Sequence, residues 1–188
     1  GAVLKHVVIS DVMGWDAALP AGTYDDGTEV GATDPVSGLW AEHVDDLQLL
    51  DVRVNGVQGL VGPIAGPPHY GYEGDHAYGI NLVGGAGAQL VDVHISGVAG
   101  GKGAASGAMG QPGGPGGAAV GLRTVGATGL TSKALTVANI TGAEGGLAFK
   151  WGDGRQGGLA AGVVVEGASA VHLDGTAVSG LTGGNGGS

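Results

Sequence analysis

The 188-residue chain has no cysteine, a single phenylalanine and only seven basic residues. Without cysteine there is neither a disulfide framework nor a thiol nucleophile. Seven bases against 17 acids give a formal net charge of −10, which excludes the basic footprint of a nucleic-acid binder. No apolar run reaches the ~18 residues of a membrane span. A secretory leader pattern is missing, and the chain opens on Gly1 rather than methionine. It therefore reads as a processed form or segment of a longer product. The Walker pattern and the Gly-x-Ser-x-Gly nucleophile elbow are absent too. The excess is in glycine, with 44 residues. Inside a regular element each would cost roughly 0.5–1 kcal/mol relative to alanine, so a helical protein is ruled out.

A repeat explains how such a chain can fold. Four segments align without gaps: 38–57, 79–98, 121–140 and 162–181, with a partial copy over 4–12. Each full copy opens with glycine (Gly38, Gly79, Gly121, Gly162) followed by an apolar residue. Within a copy, apolar and polar residues alternate with period two, as in Val52-Arg53-Val54 and Val93-His94-Ile95. That is a β period. One column reads Asp11, Gly56, Gly97, Asn139, Gly180. Those residue types tolerate the left-handed conformation, so the column predicts a tight bend in every copy. Short parallel strands, bends and a repeat of about 41 residues predict one all-β domain over 1–188. The expected architecture is a parallel β-solenoid of about four and a half coils, with glycine-rich inserts of polyproline-II type on one side.

The segments Ala77-Tyr78-Gly79-Ile80-Asn81-Leu82 and Val93-His94-Ile95-Ser96-Gly97-Val98, followed by Gly100-Gly101, carry a resemblance. They resemble the single-stranded right-handed parallel β-helix proteins of the pectate-lyase-like superfamily, most of all the glycine-rich repeat proteins of bacterial surfaces. The resemblance covers about half the chain and implies architecture, with right-handedness coming from the family alone.

The inserts between repeats carry most of the remaining glycine. In the third, glycines at 107, 110, 113 and 116 keep period three, and prolines stand at 112 and 115. Three residues per turn is the polyproline-II period. Such segments are expected to pack side by side, glycine facing glycine. Aromatic residues gather in the inserts as well: Trp15, Tyr24, Tyr70, Tyr72, Phe149 and Trp151. They predict lateral packing or a stacking surface for sugar rings.

Three groups of side chains bear on chemistry. The outward columns of the repeat bring His6, Asp51, Arg53, Asp92 and His94 toward one face. Enzymes of the resembled family hold Ca²⁺ with acids on such a face and remove a proton with a base. The resemblance thus implies Asp51 and Asp92 as ligands and Arg53 as base. Read from the residues alone, the two aspartates could form a hydrolase pair, or a solvated surface offset by Arg53 and His94. The acidic loop Asp25, Asp26, Glu29 and Asp34 offers the oxygen ligands a Ca²⁺ ion takes, without EF-hand spacing. No other cofactor is indicated. The terminal repeats carry no capping helix, which points either to a chain cut from a longer solenoid or to identical chains stacked head to tail. The expected function is a structural subunit of an extracellular filament or adhesive surface fibre. The alternative is a polysaccharide lyase, hydrolase or carbohydrate-binding β-helix.

Overall fold

The computed structural model describes residues 1–14, 35–62, 71–106, 109, 111–148 and 153–187. Among these residues ten strands are formed: β1 (Val3–Met13), β2 (Val36–Glu42), β3 (Gln48–Gln58), β4 (Ala77–Val83), β5 (Gln89–Ala99), β6 (Ala119–Val125), β7 (Thr131–Thr141), β8 (Ala160–Glu166), β9 (His172–Asp174) and β10 (Ala177–Thr182). Each full repeat gives one strand to each of two parallel sheets. The first sheet runs β1-β3-β5-β7-β10, with β9 also on β7; the second runs β2-β4-β6-β8. Register follows the repeat, so like residues stack: Val52 on Val93, and Val93 on Leu135.

The expected solenoid is corrected here. The strands form two separate parallel sheets that are neither closed nor coiled into a solenoid. The cause lies in the inserts. A third β ladder would need β-branched side chains where the sequence supplies glycine and proline, which weaken or interrupt strands.

Between the sheets lies an apolar core. Leu49, Val52, Val54, Val57, Ile80, Val93, Leu122, Leu135, Val137 and Ile140 are fully buried. The glycine that opens each repeat faces this core. A Cβ on Gly38 would meet Val54; on Gly79, Ile95; on Gly121, Val137; on Gly162, Val178. A side chain there would hold the sheets apart, so glycine sets their spacing.

The described parts of the inserts pack chiefly through their backbones. Gly59 N–H donates to the Ala99 carbonyl and Gly62 N–H to that of Lys102. Gly71, Gly74 and Ala77 donate to Pro112, Pro115 and Ala118; Gly100 and Gly103 donate to Thr141 and Glu144. Donors thus recur every third residue, and each reaches the next repeat in the chain. A second set ties outgoing to returning segments: Asp75 N–H to Leu60, Gly101 to Asp75, Gly117 to Gly101, Ala143 to Gly117 and Gly158 to Ala143. Two residues of three donate, and the third points outward. Pro112 and Pro115, which have no N–H, occupy that third position. Gly101, Gly114, Gly117 and Gly146 are buried between neighbouring backbones, where a Cβ would strike main-chain atoms. This is a second core, made of peptide groups instead of side chains.

Candidate functional site

The outward column His6, Asp51, Asp92, Ala134, Gly175 shares one backbone state. Their φ angles are +54°, +50°, +55°, +59° and +60°. Strand pairing skips these residues: Lys5 pairs with Leu50 and Val7 with Val52. They are therefore a ladder of left-handed bends, and the alternation slips by one at each. A short polar side chain that bonds locally helps aspartate occupy this region. The predicted column of Asp11, Gly56, Gly97, Asn139 and Gly180 is a second such ladder, with φ between +55° and +67°. Sequence reading missed two more: His43, Gly84, Gly126 and Gly167, then Asp46, Gly87, Gly129 and Ala170. Their composition, mostly glycine with His and Asp, was the available signal.

On the first ladder the structure joins three of the five candidate side chains. His6 Nδ1 lies 2.8 Å from Asp51 Oδ2, and Arg53 Nη1 lies 2.6 Å from Asp51 Oδ1. The hydrogen bond from His6 holds the Asp51 carboxyl below its ordinary range, with Arg53 adding to the effect against partial desolvation. Asp92 and His94 take no part in this cluster. The three joined groups satisfy one another on an open surface, where such pairs contribute little to stability. The arrangement holds a carboxylate ionised beside two cationic or proton-bearing groups.

No group of three or more His, Asp or Glu side chains with metal-binding geometry occurs among the described residues. Asp25, Asp26, Glu29 and Asp34 lie outside the described residues, as do Trp15, Tyr24, Tyr70, Phe149 and Trp151. Tyr72 is described: it is half-buried, and its carbonyl accepts from Ala104 N–H.

The second sheet bears an outward cluster that sequence reading did not single out. Register places Trp40 beside Asn81 and Asn81 beside Arg123. Arg123 is the hub. Nη1 donates to Asn81 Oδ1 at 3.4 Å, Nη2 reaches Glu166 Oε2 at 2.9 Å, and the guanidinium lies 5.2 Å from the Tyr78 ring centre. Burial raises the Tyr78 phenol above its usual range, and Arg123 partly opposes that. Trp40 is 51% exposed, whereas Asn81 is fully buried and its Nδ2 has no partner among the described residues. The signal would have been the repeat itself, which sets these three residues in one column.

The sheet ends form the other candidate surface. β1 and β10 are edge strands of the first sheet, and β2 and β8 of the second. Apolar side chains sit open beside them: Val3, Val8 and Met13 on β1, Val165 on β8, Val178 and Leu181 on β10. No helix among the described residues is long and apolar enough to cross a membrane. No family model matches the chain, and neither a curated protein nor a solved structure matches it.

Proposed function

We propose that this chain is a structural subunit of an extracellular filament or surface fibre, built by head-to-tail addition of its sheets. One observation carries the reading: among the described residues, the parallel ladder ends at both sides in a strand paired along one edge, with apolar side chains open beside it. Each edge of a repeating parallel ladder complements the opposite edge, as every internal junction of this one does. In the column that runs Arg53, His94, Thr136, Ala177, the first residue is Val8. The β10 edge of one copy would thus meet the β1 edge of the next with Ala177 against Val8. A heterologous contact of this kind propagates. Electron microscopy and sedimentation of the purified chain test it. Fibres are expected, and Val178→Asp with Leu181→Asp should leave monomers; an unaltered chain that stays monomeric at high concentration overturns the reading.

A second reading, action on a polysaccharide, is favoured by the His6–Asp51–Arg53 cluster alone. Asp51→Asn, Arg53→Ala and Asp92→Asn decide it. Sugar cleavage lost in these variants while assembly stays intact would replace the fibre with an enzyme.

A further inference from the structure

The returning glycine segment that leads into β6 shows an unusual face to solvent. Its burial repeats with period three: Pro112, Pro115 and Ala118 are half-buried, whereas Gly113, Gly114, Gly116 and Gly117 are buried. Most of its backbone is engaged sideways or inward. The Pro112 and Pro115 carbonyls accept from Gly71 and Gly74, and Gly116 N–H donates to Gln156. Gly114 and Gly117 donate to Ala104 and Gly101, and their carbonyls accept from Gly146 and Ala143. Two carbonyls are left over. Among the described residues nothing donates to Gly113 or Gly116. A trans peptide sets each C=O opposite the N–H of the next residue. Gly114 and Gly117 N–H point into the outgoing layer, so the Gly113 and Gly116 carbonyls point away from it, to the side of the proline rings. That side offers no donor in return. Pro112 and Pro115 have no N–H, and Ala118 gives its own to His76 Nδ1 at 2.9 Å.

We propose that the ridge Pro112–Ala118 is a docking element for a protein groove lined by tryptophan and tyrosine. The chemistry of the ridge names this partner. Its two prolines stand in line because the segment repeats every three residues, the period of proline-rich ligands. Flat aromatic rings pack on proline rings, and indole N–H and phenol O–H groups donate to the carbonyls between them. A partner surface of carboxylates would find no donor on the ridge. The described returning segments carry Glu73, Asp75 and Asp153 against Arg155, and the chain is −10 overall, so basic residues beside the groove complement them. The hydrogen bonds to both neighbouring segments and to the outgoing layer hold the ridge in place. Docking therefore avoids the ordering cost of a free peptide. The inference stands apart from the fibre reading, since the ridge belongs to an internal repeat and one chain carries it.

The test is surface plasmon resonance of the purified chain on a panel of immobilised WW domains, whose grooves set aromatic rings against proline. Saturable binding to at least one is expected. Pro112→Ala and Pro115→Ala each remove a ring and place an N–H on the ridge, and each should weaken that binding about tenfold. Lys102→Ala, an exposed position on the outgoing layer, should stay within about twofold of the parent. Should the proline variants not fold by circular dichroism, competition on the unaltered chain decides: a proline-rich peptide that fills the groove should release it. The absence of saturable binding, equal binding by folded proline variants, an equal loss in Lys102→Ala, or chain that stays bound under excess peptide overturns the proposal. Chain that stays monomeric yet binds through the prolines would refute the fibre and leave the ridge standing.

Discussion

Placing one methyl group in the peptide core should be far more damaging than its size suggests. Gly101 N–H donates to the Asp75 carbonyl at 2.8 Å, and its own carbonyl accepts from Gly117 at 2.8 Å. An added Cβ would strike the Leu60 carbonyl and lie 2.8 Å from the Asp75 nitrogen. Those obstacles are main-chain atoms, which no side-chain rotation moves aside. The outgoing and returning segments must part. Overpacking alone costs about 1–3 kcal/mol, and a buried peptide group left unpaired costs about 1–3 kcal/mol more. Alanine recovers only about 0.4–1 kcal/mol from the unfolded chain. Gly101→Ala should therefore destabilise by about 2–5 kcal/mol, a large share of the ~5–15 kcal/mol of a usual domain. Gly183 supplies the control, since a Cβ there meets nothing within 4 Å. Gly183→Ala should be neutral or stabilise by up to ~1 kcal/mol. Urea unfolding followed by circular dichroism measures both. A Gly101→Ala chain within ~0.5 kcal/mol of the parent would show that the glycine segments do not hold together as a core.

Three further outcomes are expected. Ala134 adopts φ +59°, which costs a residue with a Cβ about 1–2 kcal/mol. Ala134→Gly should stabilise by about 0.5–1 kcal/mol after the glycine entropy cost of ~0.5–1, read from the same unfolding curves. Because the Asp51 carboxyl is held low in the folded chain, its contribution is present above the ordinary carboxylate range and is lost as pH falls through it. Asp51→Asn should flatten the acid limb of stability against pH; an identical acid limb in the variant contradicts the cluster. Spectrophotometric titration should show a tyrosine component ionising above the usual range, and Tyr78→Phe should remove it.

The strands were legible because their signal is local. Period-two alternation marks β3, β5 and β7, and the equal spacing of Gly38, Gly79, Gly121 and Gly162 marks the parallel register. The bend at Asn139 was legible because its column holds only residues that tolerate positive φ. The bend at Asp51 was hidden by its own chemistry: acid, base and imidazole in one column read as a site, although Ala134 and Gly175 at the same place belong to a backbone series. Closure of the strands into coils was misjudged because equal spacing fixes which strands are neighbours but not how many sides a repeat has. The period-three glycine segments make hydrogen bonds between repeats without a β ladder. The Arg123 cluster escaped notice because Trp40, Asn81 and Arg123 differ in type, so no column of like residues drew attention to it.

The hydrogen bonds between successive glycine segments have an electrical consequence. In parallel sheets, donors and acceptors point both ways and their dipoles largely cancel. In the glycine segments one set of N–H groups points toward the later repeat, from Gly59 to Ala99, Gly100 to Thr141 and Gly142 to Thr182, and a second set points back, from Gly101 to Asp75, Ala143 to Gly117 and Gly184 to Gly158. Opposed peptide dipoles offset one another here as they do in the sheets. Fixed charge does not offset in this way. Residues 1–94 hold 13 acids and two bases, and residues 95–188 hold four acids and five bases. The first half of the sequence is thus strongly acidic and the second half close to neutral. Two copies approaching in solution would be turned so that unlike ends meet, an orienting field that added salt weakens beyond ~10 Å at 0.1 M ionic strength.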